Sequence, residues 1–260
     1  MGALRRLTFL NLSFQHIDEV ARLRALEFLD LTGAQGIFLN VTSLASVPLR
    51  CLVLNGTGVS CHDVSEGCVN PRLECLSLQD ARVTRRSLQI LLRMSPNIKH
   101  LNLGQATKKS DLEQVLGMIS GLPLESLVLT PFTINTLDNA QPWSMLARAF
   151  GATLASLYLN PMSVLGGERR RTAIHCVCTT SIYGSRNCAC LASAMWQAGL
   201  GARFRRLETL VVEDAFADLR QVMEDFVECA PEARVITSMV GQASSFDPFP
   251  MFAGWASLRG

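Results

Sequence analysis

The chain has 260 residues, of which 48% are hydrophobic and 18% charged, so it can form one or two ordinary globular domains and is not a disordered polyampholyte. Its 24 basic and 22 acidic residues leave a formal net charge of +2, which gives no overall bias toward nucleic acid or anionic membrane. No apolar run approaches the roughly 18 residues of a transmembrane helix, so we expect no membrane span.

Nine cysteines occur in a chain whose start lacks the apolar stretch of a signal peptide. Cysteines in such a chain are expected to be reduced thiols or metal ligands rather than disulfides. We therefore predict an intracellular location, the cytoplasm first, with the mitochondrion and the nucleus as alternatives.

Leucine, with 39 residues, recurs in a six-residue pattern, L-x-x-L-x-L. Eight copies begin at Leu7, Leu26, Leu49, Leu73, Ile98, Leu124, Leu154 and Leu207. The first, fourth and sixth positions are expected to fill a core, since the last two point to the same side of a short strand. Parallel neighbouring strands need a crossover connection, so the stacked units predict one parallel sheet.

The connections between the copies have helical patterns. One has Thr84 as N-cap and ends before Pro96, and another opens with a capping box at Ser110 and Glu113. Two more predicted helices cover 144–150 and 219–227.

These repeats resemble the leucine-rich repeat superfamily, within it the ribonuclease-inhibitor-like and cysteine-containing branches, and residues 83–103 are similar to repeats of F-box leucine-rich adaptors. The resemblance implies an α/β fold: a right-handed solenoid of about eight to nine repeats, with a parallel concave sheet and a helical convex side. We expect the solenoid at 1–240, with an insertion or degenerate repeat at 166–206, and a C-terminal tail at 241–260.

Two features depart from the family pattern. The family usually has Asn or Cys three residues after the sixth position, whereas this chain has, for example, Ala34, Thr57 and Ala81, which leaves the turn geometry open. No polar capping unit precedes Leu4, so the sequence predicts an uncapped sheet edge, covered by a partner or by further chain.

The third, fifth and seventh positions of each copy are expected to face the concave side. The candidate partner-binding residues are Phe9, Asn11, Phe28, Asp30, Val53, Asn55, Ser77, Gln79, His100, Asn102, Val128, Tyr158, Val211 and Glu213. Because only Asp30 and Glu213 among these positions are charged, the face suits a protein surface or an extended peptide rather than phosphate. Alternatively, some of these side chains contact only solvent or the chain's own termini. The same grid predicts Cys51 and Cys75 side by side on neighbouring strands.

The region between the last two copies contains two C-x-C pairs, formed by Cys176, Cys178, Cys188 and Cys190. Four thiolates could hold a structural zinc ion, while buried or free thiols and disulfides remain alternatives. Seven arginines at 166–206 precede eight acids at 207–232, which indicates either a docking site for a protein or RNA, or mutual neutralisation within the fold.

Enzyme motifs are absent from the sequence, and the one conceivable nucleophile–base pair is Cys75 with His100. We therefore expect a non-enzymatic protein–protein interaction module: a scaffold, adaptor or subunit of a multi-subunit assembly, without cofactor, membrane or small-molecule substrate. The resemblance implies an alternative, substrate recognition for a ubiquitin ligase. Zinc or RNA binding through the cysteine- and arginine-rich region is a third possibility.

Overall fold

The computed structural model describes residues 4–8, 20, 22–34, 37–39, 44–61, 68–103, 112–129, 140–159, 209–214 and 234–239. These residues form a mixed α/β structure. Its strands are β1 (Arg6–Thr8), β2 (Phe28–Asp30), β3 (Ile37–Leu39), β4 (Cys51–Val53), β5 (Gly58–Cys61), β6 (Cys75–Ser77), β7 (Arg82–Val83), β8 (His100–Asn102), β9 (Ser126–Leu129), β10 (Ser156–Leu159), β11 (Thr209–Asp214) and β12 (Arg234–Met239). Its helices are α1 (Arg85–Met94), α2 (Leu112–Ile119) and α3 (Ala140–Phe150).

Nine strands form one parallel sheet, in the order β1-β2-β4-β6-β8-β9-β10-β11-β12. Every neighbouring pair in it is parallel, and the order follows the chain. From β2 to β11, each strand of this nine-stranded sheet begins at the third position of a leucine unit. The predicted parallel sheet with one strand per unit is therefore confirmed for these residues.

The hydrophobic core lies on one face of this sheet. It contains the first, fourth and sixth positions of successive units, for example Leu49, Leu52 and Leu54, each at most 1% exposed. The helices complete the core from the other side with Leu88, Leu91, Leu92, Val115, Leu116, Ile119, Leu146, Ala147 and Phe150. Because each unit buries its leucines against its neighbours, we expect a single Leu→Ala change here to cost about 2–5 kcal/mol.

Three of the predicted helices are confirmed. At the start of α1, the Thr84 hydroxyl accepts a hydrogen bond of 3.1 Å from the backbone N–H of Ser87. The helix ends at Met94, just before Pro96, as expected. Helix α3 begins at Ala140, earlier than the predicted Ser144. Residues 219–227 and Ser110 lie outside the described residues.

The turn after the sheet strand has the same form in three successive units. In each, the backbone N–H of the ninth position donates to the carbonyl of the sixth, as from Thr57 to Leu54. The eighth position has positive φ: 74° at Gly33, 65° at Gly56 and 54° at Asp80. Small buried side chains at the ninth position let the turn pack on the core, which explains why no amide is needed there.

These turns lead into a second parallel sheet, of order β3-β5-β7. We expected only helices on this side of the core. The expectation is wrong for the units that begin at Leu26, Leu49 and Leu73, because their chains continue from the turn in an extended conformation and pair through their backbones.

The frame predicted for the first unit is also wrong. Arg6 pairs with Phe28, so the first unit begins at Leu4 and not at Leu7. Its fourth position is then Leu7, which packs partly buried against the core, and Leu4 is 49% exposed. The spacing to Leu26 becomes 22 residues instead of 19, close to the 23 and 24 that follow.

At the other end, β10 pairs directly with β11, with Ser156 opposite Thr209. This pairing leaves no place for a further strand between β10 and β11, and the predicted insertion or degenerate repeat at 166–206 lies outside the described residues. Strand β12 pairs with β11 and adds a unit that contains no leucine, with Arg234 opposite Thr209.

Candidate protein-binding face

The face of the nine-stranded sheet opposite the core, here called the outer face, is formed by the third and fifth positions of the units. The register aligns the third positions as Arg6, Phe28, Cys51, Cys75, His100, Ser126, Ser156, Thr209 and Arg234. It aligns the fifth positions as Thr8, Asp30, Val53, Ser77, Asn102, Val128, Tyr158, Val211 and Ile236. The prediction that Cys51 and Cys75 are neighbours is confirmed.

From β2 to β9, the described side chains of the outer face are buried, except for Asp30, which is half-buried. Phe28, Cys51, Val53 and Cys75 form an apolar cluster separate from the leucine core. We expected exposed side chains here. Neighbouring strands lie about 4.8 Å apart, so side chains in one row shield each other. The Arg6 guanidinium also lies 4.1 Å from the centroid of the Phe28 ring, a cation–π contact that covers this ring.

Two polar groups of β8 are buried in this face and have no hydrogen-bond partner among the described residues. They are Nδ1 of His100 and Oδ1 of Asn102, in residues that are 6% and 2% exposed. Burial lowers the pKa of His100 from its ordinary value of 6.5, so the imidazole is held neutral. A buried polar atom without a partner costs about 1–3 kcal/mol.

The polar side chains near the end of the strands are, in contrast, fixed by hydrogen bonds. Oδ1 of Asn55 accepts from the Ser77 hydroxyl at 2.7 Å and from the backbone N–H of Gln79 at 3.0 Å. Oδ1 of Asp30 accepts from the Thr32 hydroxyl at 2.6 Å and from its backbone N–H at 3.0 Å. Gln79 itself is exposed, so it lies on an accessible rim of the outer face.

The Cys51 thiol of this face is in its neutral form. A hydrogen bond with Cys75 and burial both raise the pKa of Cys51 far above its usual range. Since the thiolate is the reactive form, Cys51 is a poor nucleophile and a poor metal ligand. Cys75 lies opposite His100, as predicted, but Nδ1 of that histidine makes no hydrogen bond. No group of three potential metal ligands occurs among the residues that the structure describes.

The sequence analysis missed a row of charges at the second position of the units, here called the charge ladder. Its signs alternate along the edge of the sheet where the strands begin: Arg5, Glu27, Arg50, Glu74, Lys99 and Glu125. Glu74 is paired with Arg50 at 2.7 Å and with Lys99 at 3.9 Å, and Lys99 also lies 3.8 Å from Glu125. Arg5 lies 3.9 Å from Glu27. The alternation was visible once the units were aligned.

Several candidate residues lie outside the described residues: Phe9, Asn11, Cys176, Cys178, Cys188 and Cys190. For Tyr158, Val211 and Glu213 the backbone position is given by β10 and β11. None of the described helices has the length and apolar character required to cross a membrane. Comparison of the chain with protein-family models gave no match, and comparison with curated proteins gave none either.

Proposed function

We propose that this chain is a right-handed leucine-rich-repeat solenoid that acts as a non-enzymatic protein–protein interaction module: a scaffold, an adaptor or a subunit of a larger assembly. The stacking of units in chain order supports the solenoid, because each unit contributes one strand to the parallel sheet and its leucines to one continuous core. Such stacked units bring equal positions of successive repeats into rows, which makes extended surfaces for macromolecules.

The observation that carries the interaction role is the character of the outer face. From β2 to β9 its described positions are neutral except for Asp30, and Asn55 accepts hydrogen bonds from the Ser77 hydroxyl and the backbone N–H of Gln79 at its rim. Neutral rows favour a polypeptide over a phosphate backbone as the ligand.

The test is affinity purification of the tagged chain from its own cells, followed by mass spectrometry. We expect a stoichiometric set of co-purifying proteins with the wild type and their loss with Gln79→Arg. This change puts a long charged side chain on the exposed rim, while the hydrogen bond from the backbone N–H of Gln79 is retained. The matched control is Arg93→Gln, on the exposed side of α1, which should retain all partners.

Different outcomes distinguish the roles. A constant set of subunits supports the scaffold or subunit role, whereas ubiquitin-ligase components with changing substrates support the adaptor role. A monomer without partners from the wild-type chain contradicts the interaction function altogether.

A further inference from the structure

A groove of about 640 Å³ lies beside the loops that precede β4 and β6. Two arginines, Arg24 and Arg72, contribute to its lining, and none of the described lining residues is acidic. The apolar part of the lining consists of Ala45, Val47, Pro48 and Pro71. The groove therefore combines apolar surface with positive charge, unlike the neutral outer face.

Asn70 holds the two loops of this groove together. This residue is 2% exposed, and its Nδ2 donates to the carbonyl of Val47 at 3.0 Å and to that of Leu44 at 3.4 Å. Its Oδ1 accepts from the backbone N–H of Arg72 at 3.1 Å. Because one buried amide connects the loops of two successive units, the groove is preformed, which reduces the ordering cost of binding.

The two arginines of the groove are available for a ligand. Both are exposed, and neither guanidinium has an ion-pair or hydrogen-bond partner within the described part of the chain. The acidic residue nearest to Arg72 along the chain, Glu74, is already engaged by Arg50 and Lys99. The groove thus presents two uncompensated positive charges, whereas the neighbouring charge ladder is largely neutralised by its own pairs.

The spacing of the arginines limits the shape of the ligand. Arg24 and Arg72 belong to units two apart in the stack, so their backbones are separated by about 10 Å at the roughly 4.8 Å spacing of neighbouring strands. An extended peptide rises about 3.3 Å per residue, so acidic residues three positions apart match this separation. Arginine binds carboxylates with paired N–H donors, which makes such a two-point contact selective.

We propose that this groove binds an acidic, extended peptide segment of a partner protein. Carboxylates at positions i and i+3 of the peptide bind Arg24 and Arg72, and an apolar residue between them packs on Ala45 and Pro48. This inference rests on the proposed interaction function and specifies the chemistry of the partner.

The test uses fluorescence anisotropy of the full chain with labelled 12-residue peptides in a leucine and proline background. One peptide has glutamates at i and i+3, a second has them adjacent, and a third has glutamines instead. We expect the i, i+3 peptide to bind about tenfold more tightly than the glutamine peptide, since charge-assisted hydrogen bonds are lost in the latter. Arg24→Gln and Arg72→Gln should each weaken binding several-fold, and Arg93→Gln should not change it.

Equal affinity for the glutamate and glutamine peptides, or unchanged affinity in the two groove variants, would overturn the groove proposal. So would equally tight binding of a 12-nucleotide uridine RNA, which would show that any polyanion is accepted. If the double variant Arg24→Gln/Arg72→Gln keeps all its co-purifying proteins, the groove proposal is wrong while the interaction function stands. If the wild type has no partners, the interaction function fails whatever the peptides do.

Discussion

Replacing Asn70 by alanine tests whether one buried amide determines the geometry of the loop layer. The variant loses the 3.0 Å hydrogen bond that Asn70 donates to the Val47 carbonyl and the 3.1 Å bond that it accepts from the Arg72 N–H. It also loses a longer bond of 3.4 Å to the Leu44 carbonyl. Both carbonyls keep one backbone partner, since Leu49 donates to Val47 and Val47 donates to Leu44. At about 1 kcal/mol per good bond, the expected loss in unfolding free energy is about 2 kcal/mol.

Asn97 provides the matched control for this prediction. Its Nδ2 makes a single bond of 2.9 Å to the Pro71 carbonyl, on an exposed residue, so Asn97→Ala should cost only about 0.5–1 kcal/mol. The assay is urea denaturation followed by circular dichroism, with the m-value unchanged in both variants. Asn70→Ala should also weaken binding of the acidic peptide to the groove, because the position of Arg72 is no longer fixed. A cost for Asn70→Ala no larger than for Asn97→Ala would refute the reasoning.

Two further predictions concern the turns and the outer face. Asp80→Gly should raise the free energy of unfolding by about 0.5–1 kcal/mol, because glycine adopts a positive φ without the strain that a side chain causes. Gly56→Ala should lower the free energy of unfolding by about 1–2 kcal/mol for the same reason. Thermal melts that show no gain for Asp80→Gly and no loss for Gly56→Ala would contradict this prediction. Since burial lowers the pKa of His100 below 6.5, the unfolded chain binds the extra proton, and stability should fall as the pH drops below about 6.5. His100→Gln should reduce the pH dependence of the unfolding free energy by up to about 1.4 kcal/mol per pH unit, the contribution of one proton. Urea titrations of both proteins at pH 7 and 5.5 measure this dependence, and an identical dependence in both would contradict the prediction.

The leucine spacing was sufficient to predict the parallel sheet, because three buried positions in six leave little choice of register. It failed at the first unit, where Leu4 and Leu7 begin two overlapping frames and the leucines alone favour the later one. The charges distinguish the frames: starting at Leu4 puts Arg5 beside Glu27 and Arg6 over Phe28. Strand β12 has Val235 at the fourth position and Thr237 at the sixth, where most earlier units have leucine, so a leucine template does not find it.

Other features could not be predicted because they depend on contacts between units. The second sheet consists of strands of two to four residues, paired only through the backbone, with no periodicity of their own. The groove is formed by loops whose residues, such as Pro48 and Arg72, suggest only a turn in the sequence. The row of third positions was predicted from β2 onward, but the burial of its side chains was not. A strand pattern shows which face a side chain points to, but it does not show whether neighbouring side chains shield it from solvent.

Because the charge ladder alternates in sign, losing an odd number of repeat units has a different effect on the stack from losing an even number. Removal of the single unit that carries Arg50 would bring Glu27 next to Glu74, two like charges at neighbouring positions of the stack. Removal of two consecutive units would instead bring Glu27 next to Lys99 and restore the alternation. Neighbouring like charges cost free energy and opposite ones contribute it, so this stack accepts gain or loss of units more readily in pairs. A chain of identical modules thereby acquires a two-unit period that its leucines do not show.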